Sequence, residues 1–280
     1  MLSSELSNTK LEAMGLTRID CQLFRGNSAT VSSSSYVVLN PNRKPGSMVI
    51  AGSSAVRAGL GSQVACKLGL ENFVKGVFQY YEGSSNSNSL NQVFQEEQLE
   101  LLPPTENSVN LDILESAFRS ANVSVYDFGH QLAAGGRLAA SLLGVVVVDE
   151  FIAAGKVGDG SVYLFRNDEV MPFFQTSREQ THSQEYIGMN SLVSVQLASV
   201  SVQEGDMIFV FPRSLQDADE AILLEVCPLL LGYPGNRADL LAKKVFAGND
   251  TLPYLMVASV GPEAVYLGEP LKEELSRVAF

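Results

Sequence analysis

Residues 138–211 carry the pattern that most constrains the fold. Short apolar runs recur there, each closed by turn chemistry after a strand's length. Leu138–Val148 ends at Asp149-Glu150, then Phe151–Val157 and Ser161–Arg166 follow. Asn167-Asp168 is a hairpin turn back into Val170–Phe174, Leu192–Val202 alternates, and Glu204-Gly205-Asp206 turns into Met207–Phe211. Such runs predict consecutive antiparallel strands.

Helical periods flank this block. Val64, Leu68, Phe73, Val77 and Tyr80 recur at helical spacing within Ala58–Tyr80. Leu111, Leu114, Phe118, Val125 and Phe128 share one face of Leu111–Leu132, with Asp112 and Glu115 suited to its positive N-terminal end. Asp217–Cys227 and Arg237–Ala247 read as a second helical pair. Further strands are expected at Leu16–Phe24, at Tyr36–Leu39 before the turn Asn40-Pro41-Asn42, and at Met48–Ala51, Leu255–Val260 and Ala264–Leu267. Helices segregated from hairpins define an α+β fold with antiparallel sheets. Residues 1–15 read as an N-terminal arm and residues 16–280 as a single domain. A polar insertion interrupts it at about residues 82–108, where GSSNSNS, a Gln/Glu patch and Pro103-Pro104 follow one another.

The chain has 280 residues, 46% hydrophobic and 18% charged, enough for a sizeable core and too apolar for wholesale disorder. Nineteen basic against 31 acidic residues leave a net charge of −12. That field repels phosphate backbones and anionic lipid, so neither nucleic acid nor a membrane surface is expected as a partner. The longest apolar run, Leu142–Val148, is far short of a bilayer span. The polar start MLSSELSNTKLEAM lacks the apolar stretch of a signal peptide, and a cytoplasmic protein is expected.

Several catalytic patterns occur only in part. Cys21, Cys66 and Cys227 are widely spaced and read as small buried hydrophobes, and His130 and His182 lie in unrelated contexts, so no His/Cys zinc site is expected. Gly59-Leu60-Gly61 begins like a dinucleotide loop, but Val64 stands where the third glycine belongs, and helix packing accounts for the pair. No G-x-S-x-G elbow occurs, and His182 sits in the polar stretch QTSREQTHSQE. Glu204 and Asp206 are turn residues ahead of an apolar strand rather than an acid/base pair.

The centre of the chain resembles the metal-dependent, type 2C Ser/Thr protein phosphatases. Ala117, Ala121, Asn122, Val125 and Tyr126 match the family's A-x-x-A-N-x-x-I/V-Y helix. Val157-Gly158-Asp159-Gly160-Ser161-Val162-Tyr163-Leu164-Phe165-Arg166 matches its VGDSRxYLxRxG hairpin. GSQVACKLGLENF, VSVQEGDMIFVFPRSLQD and NDTLPYLMVASV extend the likeness outward, so that it covers about residues 16–260. The resemblance implies a four-layer α-β-β-α sandwich. It also implies two divalent metals held by aspartates, which activate a water against a phosphoserine.

The sequence departs from the family where those metals bind. Its first acidic motif reads Arg25-Gly26-Asn27-Ser28-Ala29, which keeps an arginine suited to phosphate but has no acid at Ala29. The DGMGG loop reads Gly52-Ser53-Ser54-Ala55-Val56, leaving Ser53 and Ser54 where the bridging acid region lies. Pro212-Arg213-Ser214 replaces SDG, a cation for a metal ligand, and only Asp250 matches a ligand position, with Asp159 as support in the hairpin. One carboxylate cannot hold a two-metal cluster. The resemblance with these departures implies a catalytically inactive member, a pseudophosphatase without cofactor. Such a member acts as a regulatory or protein-binding module whose partner is a kinase, a phosphoprotein or an assembly subunit. Two alternatives stand beside it: a working phosphatase with an altered metal site, and an amide hydrolase with an N-terminal nucleophile such as Thr17 or Cys21 exposed by cleavage.

Overall fold

The structure is a computed structural model that describes residues 18–26, 34–39, 48–57, 59–86, 106–132, 138–148, 151–174, 185–246 and 252–261. In chain order its elements are β1 (Arg18–Arg25), β2 (Ser34–Leu39), β3 (Met48–Ala55), α1 (Leu60–Asn86), α2 (Glu106–Gln131), β4 (Ala140–Val148), β5 (Phe151–Val157), β6 (Ser161–Arg166), β7 (Glu169–Pro172), β8 (Gln196–Ser201), β9 (Met207–Phe211), α3 (Asp217–Leu230), α4 (Arg237–Val245) and β10 (Tyr254–Gly261). The strands form two five-stranded sheets, ordered β1-β10-β9-β6-β7 and β2-β3-β4-β5-β8, and every pairing is antiparallel.

Three apolar layers hold four structural layers together. Phe73, Val77, Leu114, Phe118 and Val125 of α1 and α2 pack on Val49, Ala51, Leu142 and Val146 of the second sheet. Ile50, Leu143, Val145, Val210, Met256 and their neighbours fill the space between the sheets. Phe209, Phe211, Leu255 and Val257 of the first sheet meet Leu223, Cys227, Leu241 and Val245 of α3 and α4. The result is the α-β-β-α sandwich. It also explains the run Leu142–Val148: β4 is covered on both faces, so successive side chains enter different cores and no polar residue alternates. Gly144 in that strand lets α1 approach, since a Cβ there would lie 2.3 Å from Phe73 Cζ.

Local chemistry sets the turns. Asn167 and Asp168 adopt φ of 51° and 62°, the left-handed pair of a tight hairpin, and Arg166 faces Glu169 across it. Asp206 in the Glu204-Gly205-Asp206 turn is buried, and its two carboxylate oxygens accept from Arg166 Nε and Nη2, each at 2.7 Å, and from the Gln203 N–H at 2.8 Å. That carboxylate closes a turn at the sheet's far end.

Several expected boundaries move. The Leu192–Val202 strand is confined to Gln196–Ser201, the stretch that pairs with β5. The helices at Ala58–Tyr80 and Leu111–Leu132 extend to Asn86 and start at Glu106, so both reach into the expected 82–108 insertion. Asp217–Cys227 continues through Pro228 to Leu230, and Val170–Phe174 shortens to Glu169–Pro172. Residues 1–15, the middle of the insertion and Ala264–Leu267 lie outside the described residues.

Candidate functional site

One end of the sandwich gathers the candidate positions. There the C-terminal end of β1 carries Arg25, paired with Tyr254 at the start of β10. In the facing sheet Ser53 and Ser54 of β3 lie opposite Leu142 and Ser141. The β5–β6 hairpin brings Asp159 to the same end, and Ser161 faces Phe211 just before Arg213. Ala29 and Asp250, like Thr17 and His182, lie outside the described residues.

Small polar groups knit this end together. The buried Ser53 hydroxyl donates to the Ser141 carbonyl at 2.7 Å, and the Asp159 N–H donates to Ser141 Oγ at 3.1 Å. Tyr186 donates to Asp159 Oδ2 at 3.5 Å. Lys156, in the layer of Ile152 and Ala154, donates to the Gly160 carbonyl at 3.1 Å, and its ammonium sits 5.1 Å from the centre of the Phe174 ring. Burial lowers the Lys156 pKa and the nearby Asp159 charge opposes that shift. Burial also pushes the Cys66 thiol up to about 11, partly offset by the Ser53 hydroxyl.

Arg213 takes a different direction. Strand alternation places Phe209 and Phe211 toward the helices, and Arg213 follows them. Its guanidinium carbon lies 4.7 Å above the Phe246 ring, with Nη2 3.6 Å from Asp219 of α3. The Ser161 hydroxyl donates to its carbonyl at 2.9 Å. Its charge therefore serves the outer helix layer. Cys21 faces the inter-sheet core in the middle of β1 and is buried.

The residue the sequence did not single out is Tyr254. It is buried, 5.6 Å from the Tyr36 ring centre to centre, and it lies directly on Gly52. A Cβ built on Gly52 would sit 2.1 Å from Tyr254 Oη and 2.4 Å from Cζ. Gly52 precedes Ser53 and Ser54 in β3, and the tyrosine occupies the room that any side chain at Gly52 would need. Burial raises the Tyr254 pKa, which keeps the phenol neutral. Among the described residues, no three His, Cys, Asp or Glu side chains come close enough together to hold a metal ion. Neither Gly52 nor Arg213 offers a carboxylate to a metal ion.

Comparison with known proteins gives a fold and no closer relation. No family model and no curated protein matches the chain in sequence. Among solved structures, the catalytic domain of the Ser/Thr phosphatase PstP in complex with two manganese ions aligns with a TM-score of 0.55 and 16% identity, over 88% of this chain and 98% of that one. The Ser/Thr phosphatase of S. agalactiae aligns with a TM-score of 0.56 and 15% identity, over 88% and 99%. PppA, described as a key regulatory component of T6SS in Pseudomonas aeruginosa, aligns with a TM-score of 0.56 and 11% identity, over 87% and 97%. The fold of this chain is that of the type 2C bacterial Ser/Thr phosphatases. No helix among the described residues is long and apolar enough to cross a membrane.

Proposed function

We propose that this chain is a catalytically inactive type 2C phosphatase-like domain that acts by binding a protein partner. One observation supports the reading: the β3 stretch Gly52-Ser53-Ser54, matched to the family's acidic loop, carries no carboxylate, and Tyr254 fills the space a side chain on Gly52 would need. A two-metal hydrolase depends on carboxylates to offset the ions' charge and hold them a fixed distance apart. A neutral phenol against a glycine supplies neither. Arg213, at the position of a second ligand, is engaged with Asp219 and Phe246 and brings the wrong sign of charge. With the fold kept and this chemistry altered, the sandwich serves as a scaffold for recognition, and a kinase, phosphoprotein or assembly subunit fits that role.

The test is hydrolysis of p-nitrophenyl phosphate and of a phosphothreonine peptide with manganese present. No turnover above buffer is expected. Manganese-dependent turnover abolished by Asp250→Ala would instead establish a working phosphatase with an altered metal site.

A further inference from the structure

The outer face of α3 is built like one half of a helix–helix seam. Leu223, Val226, Cys227 and Leu230 are buried against the first sheet and α4. On the opposite side, Asp217, Ala221, Leu224 and Pro228 succeed one another at intervals of four, three and four residues, the spacing a second helix reads, and Leu231 follows three residues on as the helix's C-cap. Leu224 is 51% exposed, Leu231 52%, and the neighbouring Leu229 60%. Leu224 and Leu231 are thus two large apolar side chains half in water along one ridge, while Leu229 stands on the helix's other flank. Pro228 adds a polar detail: it has no N–H, so the Leu224 carbonyl lacks its usual donor four residues on. That acceptor lies within the seam.

Charge and area select the occupant. α3 carries Asp217, Asp219, Glu220 and Glu225 and no basic residue, and Glu225 is exposed beside the seam. Asp219 and Glu220 are engaged within the domain, by Arg213 and by the Tyr163 hydroxyl. Two copies meeting through this face would bring their acidic helices together, in a chain of net charge −12. The apolar patch is also on the order of a few hundred Å², below the roughly 800 Å² per partner of a stable protein dimer. A single helix with an apolar ridge and basic flanks matches both its size and its sign.

We propose that this face is the docking surface for a basic amphipathic helix of a partner protein, with its apolar ridge along Leu224, Pro228 and Leu231 and its lysine or arginine flank over Glu225. The proposal rests on the domain being a binding module, and it names where and by what chemistry the module binds.

The test uses the full chain and a labelled Leu/Lys amphipathic peptide of about 20 residues, long enough to form a helix. A Leu/Glu peptide of the same pattern is the control, and fluorescence anisotropy is the readout. The Leu/Lys peptide is expected to bind, more weakly as salt is raised through the range where the Debye length falls below about 10 Å. Leu224→Asn/Leu231→Asn should weaken binding by about tenfold or more, and Glu225→Lys should weaken it and flatten its salt dependence. Both variants replace exposed side chains and should keep the unmodified melting temperature. Unchanged affinity in the leucine variant, or equal binding of the Leu/Glu peptide, overturns the proposal. So does sedimentation showing a dimer that Leu224→Asn/Leu231→Asn dissociates, because a second copy would then cover the face. Absent peptide binding together with absent phosphatase turnover refutes this surface and leaves the inactive-domain reading standing.

Discussion

Gly52→Ala should destabilise this protein through one contact, and Tyr254→Leu should remove the effect. The added methyl would lie 2.1 Å from Tyr254 Oη, 2.4 Å from Cζ and 2.8 Å from Cε2, whereas non-bonded carbons rest at about 3.5–4.0 Å. Tyr254 is fully buried, tilted against the Tyr36 ring and held in β10 between β1 and β9, so the ring has no empty direction to take. Overpacking a filled core costs about 1–3 kcal/mol, and three tyrosine atoms in the way, two of them in the ring, place this case near 3 kcal/mol. At roughly 2–4 °C per kcal/mol, the melting temperature falls by about 6–12 °C. In the Tyr254→Leu background the obstructing atoms are gone. Gly52 lies in regular β3 with no positive φ, so alanine there should be neutral or stabilising by up to about 1 kcal/mol through the unfolded chain. The coupling between the two sites should then approach 3 kcal/mol, the upper end for residues in contact. The chain has no tryptophan, so urea unfolding followed by far-UV circular dichroism is the suitable assay. Equal destabilisation by Gly52→Ala in both backgrounds, or none in either, would refute the packing that excludes an acid at this position.

Two further outcomes follow from the same structure. Asn122→Ala should cost about 1–3 kcal/mol, because the Gly188 N–H loses its acceptor at 2.8 Å and the Asn190 and Ser191 carbonyls lose their donor; thermal melts should show the loss, with faster proteolysis at residues 185–191. The Cys66 and Cys227 thiols are raised by burial from 9.0 to about 11 and about 12, so the unfolded chain releases their protons first. Their contribution is complete below pH 9 and is lost as pH rises toward those values, by about 1.4 kcal/mol per unit for each thiol. Melting curves above pH 9 should fall less steeply in Cys66→Ala/Cys227→Ala.

The legible part of this fold is the part written locally. Asn167-Asp168 announces its hairpin because only a few residue types take two successive left-handed conformations. The apolar stripes of α1 and α2 follow from a 3.6-residue period, and Phe151–Val157, Ser161–Arg166 and Met207–Phe211 match their strands residue for residue. The Leu192–Val202 pattern misled because alternation reports an exposed and a covered face but not a hydrogen-bonded neighbour. Asn122 captures the carbonyls at 190 and 191, and β5 offers a partner only to residues 196–201. The family motifs pointed to Ser53, Ser54 and Asp159, which the fold brings to one end of the sandwich through Ser141. Tyr254 was not legible, since its meaning lies in a contact with a residue about two hundred positions earlier, across two sheets. Arg213 shows the same limit: its position was readable, while its turn toward Phe246 depends on which face of β9 meets the helices.

The most direct test of the inactive-site reading is the melting temperature with and without metal. A micromolar site held at about a thousand times its dissociation constant would stabilise the fold by roughly 4 kcal/mol, a rise of about 8 °C or more for a domain of this size. With Gly52 packed under Tyr254 and Arg213 bringing a positive charge, millimolar manganese or magnesium should leave the melting temperature within about a degree of the metal-free value on the inactive-site reading. A manganese-dependent rise of several degrees, reversed by chelator, would show that acids do converge on a metal site here and would contradict the inactive-site reading.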